Sequence, residues 1–281
     1  MTAKPTVAII GLGLIGGSLG QALRRSKRYR VIGFSRRPVT LRNAKRLGAV
    51  DQTFTRLDDL HSAQIVVLAT PVDRIIPTVK KILPHLRPGT YLTDVGSVKG
   101  TLVPSIFRLL KGRSIHWVGG HPLAGSHKTG VKAARSDLFQ KATCVLVPAT
   151  KASLKPILAL WNAVGARPLI LSARDHDAAV AITSHLPHVL AHALVQLVAA
   201  HPDQVLLKKM VAGSFRDVTR IASSDPELWA EIFRANAPQL RRAIQLFRRQ
   251  LVRLEQTLER PSLRPLLKRS QQFRSPLFHG I

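Results

Sequence analysis

The chain has 281 residues, of which 45% are hydrophobic, so it is long enough for two domains or one large domain with a substantial core. Its charge is unusual, because 43 Lys and Arg residues against 15 Asp and Glu residues give a formal net charge of +28. Such a positive field attracts nucleic acids, acidic metabolites and phosphorylated cofactors. No block of five or six like charges forms an interaction tail, which favours basic residues scattered over solvated surfaces.

Three properties argue against other broad classes of protein. Cys144 is the single cysteine and lies in an apolar run, so the chain can form neither an intramolecular disulfide nor a cysteine-based metal cluster. The first residues lead into a strand-like segment without the pattern of a signal peptide. No apolar stretch approaches the ~20 residues of a membrane span. We therefore expect a soluble, cytoplasmic protein without a bound metal.

The first part of the chain alternates short β-branched runs with amphipathic stretches. The runs predict strands at Thr6–Ile10, Arg30–Phe34, Gln64–Ala69, Thr90–Thr93, Ile115–Val118, Ala142–Val147 and Pro168–Leu171. The stretches predict helices at Gly17–Ser26, Arg74–Leu83, Lys99–Leu110 and Lys151–Val164. Alternation of this kind predicts an α/β fold, a Rossmann-type doubly wound and mostly parallel sheet, over residues 1–172.

Residues 173–281 have a different sequence pattern, because strand signals are absent and long helical patterns follow. Helices are predicted at Asp175–Ala200, Pro226–Ala235 and Ala237–Leu258. The last segment, which contains Pro261, Pro265 and Pro276, is expected to be partly irregular. Helices this apolar must bury their faces, and a second copy of the chain is a suitable cover. We therefore expect an all-α C-terminal domain that serves dimerisation.

A glycine-rich loop follows the first predicted strand and leads into the first predicted helix. Its pattern G-x-G-x-x-G places Gly11 at a tight turn, Gly13 beside a pyrophosphate and Gly16 at the helix–strand contact. Leu14 and Ile15 contribute backbone N–H groups at the helix start, where an anion binds well. Thr70 and Pro71 follow another strand and are further cofactor-binding candidates. The loop predicts dinucleotide binding.

The second strand ends at Ser35, Arg36 and Arg37. An enzyme that uses NAD usually has Asp or Glu near this point, which accepts hydrogen bonds from the ribose 2′-OH. A hydroxyl and two guanidinium groups suit a 2′-phosphate instead. The pattern therefore favours NADP over NAD.

Three segments concentrate residues that can do chemistry. Two of them, Thr93–Lys99 and Gly119–Gly125, follow strands at the carboxyl edge where doubly wound sheets bind ligands. The third, Ser184–His188, lies in an apolar helix that Pro187 is expected to kink. Taken singly, each histidine is explained by a structural role, but their convergence on one cleft favours function.

These residues resemble the prephenate/arogenate dehydrogenase family of tyrosine biosynthesis. The resemblance covers roughly residues 6–260, with the motifs in family order: GLGLIGGS at 11–18, DVGSVK at 94–99, GHPLAG at 120–125 with Leu138 and Phe139 downstream, SHLPH at 184–188, and FRDVTRIA at 215–222 with Trp229 beyond. It implies NAD(P)-dependent oxidative decarboxylation of a cyclohexadienol that carries two carboxylates. Hydride passes to the nicotinamide while CO2 is lost and the ring becomes aromatic.

The resemblance also implies roles for particular residues. His121 would accept the hydroxyl proton, and Ser97 would hydrogen-bond to His121 or the substrate and help to align the nicotinamide. His188 would contact the ring carboxylate, and Arg220 would bind the side-chain carboxylate. Asp217, three residues before Arg220, would hold it in place or form a surface ion pair.

Two more residues are substrate-binding candidates. Ser184 lies one helical turn before His188. His127 occupies the position where many family members carry a glutamate, and its charge and pH response differ from those of a carboxylate. The loss of that carboxylate favours prephenate over arogenate, since the glutamate could have met the amino group of arogenate.

Three alternatives stay open at this stage. A β-hydroxyacid dehydrogenase or imine reductase would share the glycine loop, but such enzymes usually work through a lysine, and no lysine lies between Ser172 and Gln204. A nucleic-acid-binding protein would explain the charge, although aromatic residues do not interleave with the basic ones. A non-catalytic sensor of NADP is the third.

Overall fold

The structure is a computed structural model that describes residues 4–126, 128–150 and 153–277. Contacts divide the chain into two compact units. The first holds the chain up to Ala179 together with Ser223–Asn236, and the second holds Val180–Ala222 together with the chain from Ala237. The segment Ser223–Asn236 thus belongs to the unit that holds the sheet, and the domain boundary at residue 172 stays a prediction.

The first unit is built on a sheet of eight described strands. They are β1 (Thr6–Ile10), β2 (Arg30–Phe34), β3 (Gln52–Phe54), β4 (Ile65–Leu68), β5 (Tyr91–Asp94), β6 (His116–Pro122), β7 (Thr143–Pro148) and β8 (Arg167–Ile170). Their order is β3-β2-β1-β4-β5-β6-β7-β8, and every neighbouring pair is parallel except β6–β7, which is antiparallel. The mostly parallel, doubly wound sheet predicted from the sequence is confirmed.

Five described helices of this unit lie between consecutive strands. They are α1 (Leu14–Ser26), α2 (Pro38–Arg46), α3 (Val72–Ile82), α4 (Leu102–Leu110) and α5 (Leu154–Ala163). The short strand β3 and the polar helix α2 were missed by the sequence analysis. β3 has only three residues and α2 buries only Leu41 and Ala44, so neither has enough apolar periodicity to be recognised.

The core lies on both faces of the sheet. All five residues of β1 are buried, and they alternate between two apolar clusters: Val7 and Ile9 face one, Ala8 and Ile10 the other. The first cluster includes α1 and α5 side chains, and the second includes α3 and α4 side chains. Burial on both faces explains why these strands are continuous apolar runs.

The remaining helices follow β8 along the chain. They are α6 (Ala173–Val180), α7 (Leu186–Ala199), α8 (Gln204–Met210), α9 (Gly213–Thr219), α10 (Pro226–Ala235), α11 (Ala237–Glu255) and α12 (Leu263–Leu277). α10 has the predicted bounds because Asp225 caps its N-terminus, accepting from the N–H groups of Glu227 and Leu228, and Pro226 opens the first turn. α10 belongs to the first unit, whereas α7, α8, α9, α11 and α12 belong to the second.

The last segment is helical where the sequence analysis expected partial irregularity. Pro265 stands at the third residue of α12, where its missing N–H has no partner to lose, and Pro276 stands at the penultimate residue. Both prolines therefore occupy helix ends and leave the helix interior intact.

The residues between α6 and α7 form a π-helical turn just before Pro187, where the sequence predicts a kink. Ala181–His185 form this turn, and Pro187 follows as the second residue of α7. A wider turn removes the need for an N–H at the proline, because the ordinary i to i−4 pairing is already interrupted there.

One described helical stretch, Ala173–Ala199, is long and apolar enough to cross a membrane by length and composition alone. Its 27 residues correct the expectation that no segment reaches this size. The same test is passed by core helices of soluble proteins, so it is weak evidence for a membrane span.

Candidate active site

The glycine loop has the geometry that its sequence predicts. Gly11 has a φ of +98°, which favours glycine, and a Cβ at this position would overlap the carbonyl group of Ala69. A Cβ at Gly16 would overlap the carbonyl oxygen of Gly11 and lie 2.9 Å from the Cβ of Ala69. Both positions therefore require glycine so that α1 can pack closely against the ends of β1 and β4.

Gly13 differs from the other two glycines of the motif. A Cβ at Gly13 would have no heavy atom within 4 Å among the described residues, so the space in front of the α1 N-terminus is open. Leu14 begins the helix, no side chain caps it, and its first turn holds no acidic residue. Uncapped N–H groups facing open space fit a phosphate, and these residues therefore suit the pyrophosphate of a dinucleotide.

The residues after β2 and β4 lie at the same edge of the sheet. The Gly11 N–H donates to the Phe34 carbonyl over 3.0 Å, which brings Ser35 beside the glycine loop. Ser35 accepts from the N–H of Arg37 over 3.3 Å, while the side chains of Arg36 and Arg37 are exposed. Thr70 contacts the same loop, where its Cγ2 lies 3.2 Å from the point that a Gly11 Cβ would occupy, and Pro71 is exposed.

A buried ion pair lies beneath the loop after β5. Lys99 Nζ is 2.9 Å from Asp94 Oδ2, and both side chains are completely buried. Asp94 also accepts from the N–H of Gly120 over 2.8 Å, and Lys99 Nζ donates to the Gly96 carbonyl over 2.5 Å. The pair therefore ties the carboxyl ends of β5 and β6 together and fixes the loop that carries Ser97.

His121 lies at the carboxyl end of β6 and is half-buried. Its Nδ1 is 2.8 Å from Nε2 of His176, and the two rings meet edge to face. His176 is thus the partner of Nδ1, and the hydrogen bond from Ser97 to His121 or the substrate stays a prediction. Ser97 is half-buried in the loop after β5.

His176 and Asp177 were missed by the sequence analysis. His176 is fully buried, and its Nδ1 lies 2.7 Å from Asp177 Oδ1. Asp177 accepts from the N–H groups of Lys99 and Gly100 over 2.8 and 2.7 Å. The available signal was a His-Asp pair at the start of an apolar helix, where charged residues are rarely buried without a partner.

In the second unit, Ser184 lies in the π-helical turn and His188 in the first turn of α7. Burial, and to a smaller extent the positive charge of the neighbouring His192, lower the pKa of His188 to about 4. His188 is therefore a neutral imidazole near pH 7 in the absence of a ligand, and it offers a polar N–H rather than a full charge.

Asp217 and Arg220 lie at the end of α9 and the start of the short helical turn that follows, and α9 packs against α7. Asp217 Oδ1 is 3.8 Å from Nε of Arg216, and its role in holding Arg220 stays a prediction. Both partners are more than three-quarters exposed, which leaves the pair weak and free to rearrange. His127 lies outside the described residues.

Two models of known protein domains match most of the chain. A model of the prephenate dehydrogenase nucleotide-binding domain matches residues 19–170, and a model of the prephenate dehydrogenase dimerization domain matches residues 172–272.

Curated relatives are about one-third identical. The chain is 34% identical to the prephenate dehydrogenases of Lactococcus lactis subsp. cremoris over 87% of its length and of Bacillus subtilis over 84%, and it spans 69% and 66% of those relatives. It is also 34% identical to the cyclohexadienyl dehydrogenase of Zymomonas mobilis, over 85% of this chain and 84% of that protein.

Solved structures of two dehydrogenases are similar to nearly the whole chain. Arogenate dehydrogenase of Synechocystis is similar with a TM-score of 0.86 and 33% identity, over 97% of this chain and 99% of that one. Prephenate dehydrogenase of A. aeolicus in complex with hydroxyphenyl propionate and NAD+ has a TM-score of 0.90 and 33% identity, over 98% and 99%. Two 3-hydroxyisobutyrate dehydrogenases, 16% and 14% identical, share the fold alone.

The doubly wound sheet and the open glycine loop, together with the matched nucleotide-binding family model and the dehydrogenase relatives, define an oxidoreductase that uses a nicotinamide cofactor. The chain belongs to the prephenate dehydrogenase family. The β-hydroxyacid dehydrogenase alternative is therefore not favoured.

Proposed function

We propose that this protein oxidises prephenate or arogenate with loss of CO2 and uses NADP+ as its preferred hydride acceptor. The observation that carries the proposal is the position of His121 at the carboxyl edge of the sheet, the edge that holds the open glycine loop. Doubly wound folds bind their ligands at this edge.

His121 acts as the base in this proposal. It takes the proton of the ring hydroxyl as the C–H bond of the same carbon breaks and a C=O bond forms. The bound nicotinamide supplies the acceptor for the hydride. Loss of CO2 then leaves its bonding electrons in the ring, which becomes aromatic, and His121 returns the proton to the phenolate oxygen. The residues of the chain therefore move one proton out and back, and no metal is needed.

Ser97, which the buried Asp94–Lys99 pair holds in its loop, is proposed to hydrogen-bond to the substrate hydroxyl and to help align the nicotinamide. Of the two candidate carboxylate ligands, Arg220 is exposed and carries the planar fork that binds a carboxylate through two hydrogen bonds. His188, neutral near pH 7, is proposed to donate one N–H to the ring carboxylate.

The remaining candidates have supporting roles in the proposal. Ser184 supplies a hydroxyl one turn before His188, and Asp217 orients Arg220 once its weak contact with Arg216 is exchanged. His127 stays a substrate-binding prediction that favours prephenate.

The preference for NADP is proposed on the chemistry of the loop after β2. Ser35 offers a hydroxyl, Arg36 and Arg37 are exposed, and positions 35–37 contain no carboxylate that would accept from a ribose 2′-OH. The two guanidinium groups would instead face the two negative charges of a 2′-phosphate.

We further propose that the protein is a cytoplasmic homodimer. A family model named for dimerization matches residues 172–272, and the described helices of the second unit expose many large apolar side chains, including Leu197, Met210 and Phe273. The one cysteine, Cys144, is buried, and burial raises the pKa of its thiol, so it is inert and suits a reducing compartment.

The test is absorbance at 340 nm with purified protein and each combination of NADP+ or NAD+ with prephenate or arogenate. We expect reduction with at least one substrate and a higher kcat/KM for NADP+. Absence of reduction in all four combinations, with NADP+ still bound, would contradict the proposed reaction. Absence of NADP+ binding would contradict the cofactor assignment as well.

A further inference from the structure

A line of hydrogen bonds leads from Asp177 through His176 to His121. The distances are 2.7 Å from Asp177 Oδ1 to His176 Nδ1 and 2.8 Å from His176 Nε2 to His121 Nδ1. His176 is fully buried and Asp177 is 4% exposed, so water does not compete for these contacts. All three residues belong to the first unit.

The direction of these hydrogen bonds is set at the Asp177 end. Both carboxylate oxygens already accept from the backbone, Oδ1 from the N–H of Lys99 and Oδ2 from the N–H of Gly100. An ionised carboxylate only accepts hydrogen bonds, so Nδ1 of His176 must carry a hydrogen and donate it to Oδ1.

The same reasoning applies to the imidazole ring of His121, the proposed base. In the arrangement that we infer, His176 is neutral; with its hydrogen on Nδ1 it has a lone pair on Nε2, which accepts from Nδ1 of His121. His121 then carries its hydrogen on Nδ1 and its lone pair on Nε2. We propose that Asp177 and His176 are positioning residues that hold His121 in the tautomer whose Nε2 is the basic nitrogen. This inference rests on the proposed function, in which His121 is the base.

The arrangement also suits the charge that the proposed reaction creates. When Nε2 of His121 takes the hydroxyl proton, the electron pair of the O–H bond stays on oxygen and the ring becomes an imidazolium. Its Nδ1–H still donates to His176, and the negative charge of Asp177 lies one imidazole ring away. The dyad therefore stabilises the imidazolium until the proton returns to the phenolate oxygen, without itself gaining or losing a proton.

Contacts around the dyad keep it in place. The side-chain amide of Asn236, which is buried, donates to the backbone carbonyl of Asp177 over 2.9 Å. The loop that supplies the two N–H groups to Asp177 is fixed by the buried Lys99–Asp94 pair. Precise placement matters because a tautomer is selected only while each hydrogen bond keeps its length.

The decisive variant is Asp177→Asn, which keeps the size of the side chain but replaces one acceptor oxygen with an NH2 group. If that NH2 donates to Nδ1 of His176, His176 must carry its hydrogen on Nε2 and donate it to His121. His121 would then be held in the wrong tautomer. We expect kcat to fall by roughly 10²–10⁴-fold, with the KM of substrate and cofactor changed less than ~3-fold.

Two variants of His176 distinguish the loss of the hydrogen bond from misfolding of the protein. His176→Gln keeps an acceptor near the position of Nε2, and we expect it to retain more kcat than His176→Phe, which keeps bulk but cannot accept. The matched control is Asp58→Asn, which alters a surface Asp–His pair, that of Asp58 with His85 at 2.8 Å, and should leave kcat unchanged.

A direct readout is the long-range ¹H–¹⁵N spectrum of the histidine rings in the free protein. We expect His121 with its hydrogen on Nδ1 in the wild type and on Nε2 in Asp177→Asn. If His121→Asn loses activity while Asp177→Asn and His176→Phe keep kcat within ~3-fold and the tautomer is unchanged, the inference is wrong and the proposed base stands. If the wild type reduces neither cofactor, the proposed function is wrong, and the tautomer of His121 alone decides the inference.

Discussion

Arg36 and Arg37 are the residues on which the choice of nucleotide depends. Both are exposed after β2, so replacing them should not disturb the core. In Arg36→Ala/Arg37→Ala, we expect the KM for NADP+ to rise by roughly 100-fold or more, since each of the two charge-assisted hydrogen bonds contributes about 1.5–3 kcal/mol. The KM for NAD+ should change little. Steady-state kinetics with both cofactors measure the difference.

The control for this prediction is Arg46→Ala, which removes an exposed arginine from the far end of α2. It lowers the net charge without touching the loop after β2. An equal effect of Arg46→Ala on NADP+ would mean that the general positive field attracts the cofactor, and not the two arginines.

His188 gives a pH-dependent contribution to stability. Its pKa is about 4 in the folded protein and about 6.5 in an unfolded chain, so the unfolded state binds the proton first as the pH falls. The part of the stability that depends on a neutral His188 is therefore fully present above pH ~6.5, and it is lost as the pH falls from ~6.5 to ~4. Urea unfolding at pH 7 and pH 5 should show a smaller loss of stability in His188→Gln than in the wild type.

His61→Gln is the matched control, because His61 is exposed in the turn before β4. It should show the same loss of stability with pH as the wild type. If His188→Gln behaves like His61→Gln, His188 is not held neutral by its surroundings.

At the scale of elements, substitutions at two glycines of the loop should affect stability and cofactor binding separately. Gly11→Ala places a Cβ against the Ala69 carbonyl at a φ of +98°, and we expect it to lower the free energy of unfolding by about 1–3 kcal/mol. Gly13→Ala meets open space, so it should leave stability nearly unchanged while raising the Kd for NADP+. Chemical denaturation and cofactor titration measure the two effects.

A strong loss of stability in Gly13→Ala would contradict this division. So would unchanged NADP+ binding, because the methyl group would then point away from the pyrophosphate.

Prediction from the sequence worked best for elements with strong local signals. Strands β1 and β2 and helix α10 have their predicted bounds, because apolar runs and the Asp225–Pro226 cap are local. β3 and α2 were missed because β3 has only three residues and α2 buries only two apolar side chains. The helix α12 was missed because the effect of a proline depends on its position within the helix.

At the scale of the whole molecule, the apolar surface of the helical unit predicts self-association. Leu197 and Met210 are 68% and 71% exposed in one chain, a costly arrangement in water. We expect sedimentation at micromolar concentration to give twice the mass of the 30.9 kDa chain. Leu197→Asp/Met210→Asp should shift the protein towards monomer, because it would bury two charges in an interface.

The control is Phe107→Asp, which alters an exposed apolar residue of α4 in the first unit and should leave the mass unchanged. A wild-type protein that sediments only as a monomer would contradict the homodimer.

The sequence by itself determined the sheet, the glycine loop, the family resemblance and the position of His121, because each depends on local spacing or on residue type. Only the tertiary structure brought His176, with its neighbour Asp177, to His121, which lies 55 residues before His176 in the chain, and gave Asp94 and Lys99 a shared buried position. A hydrogen bond between distant residues depends on how strands and helices pack, and that packing has no periodic signal in the sequence. The direction of those hydrogen bonds, and with it the tautomer of the proposed base, could therefore be inferred only from the folded chain.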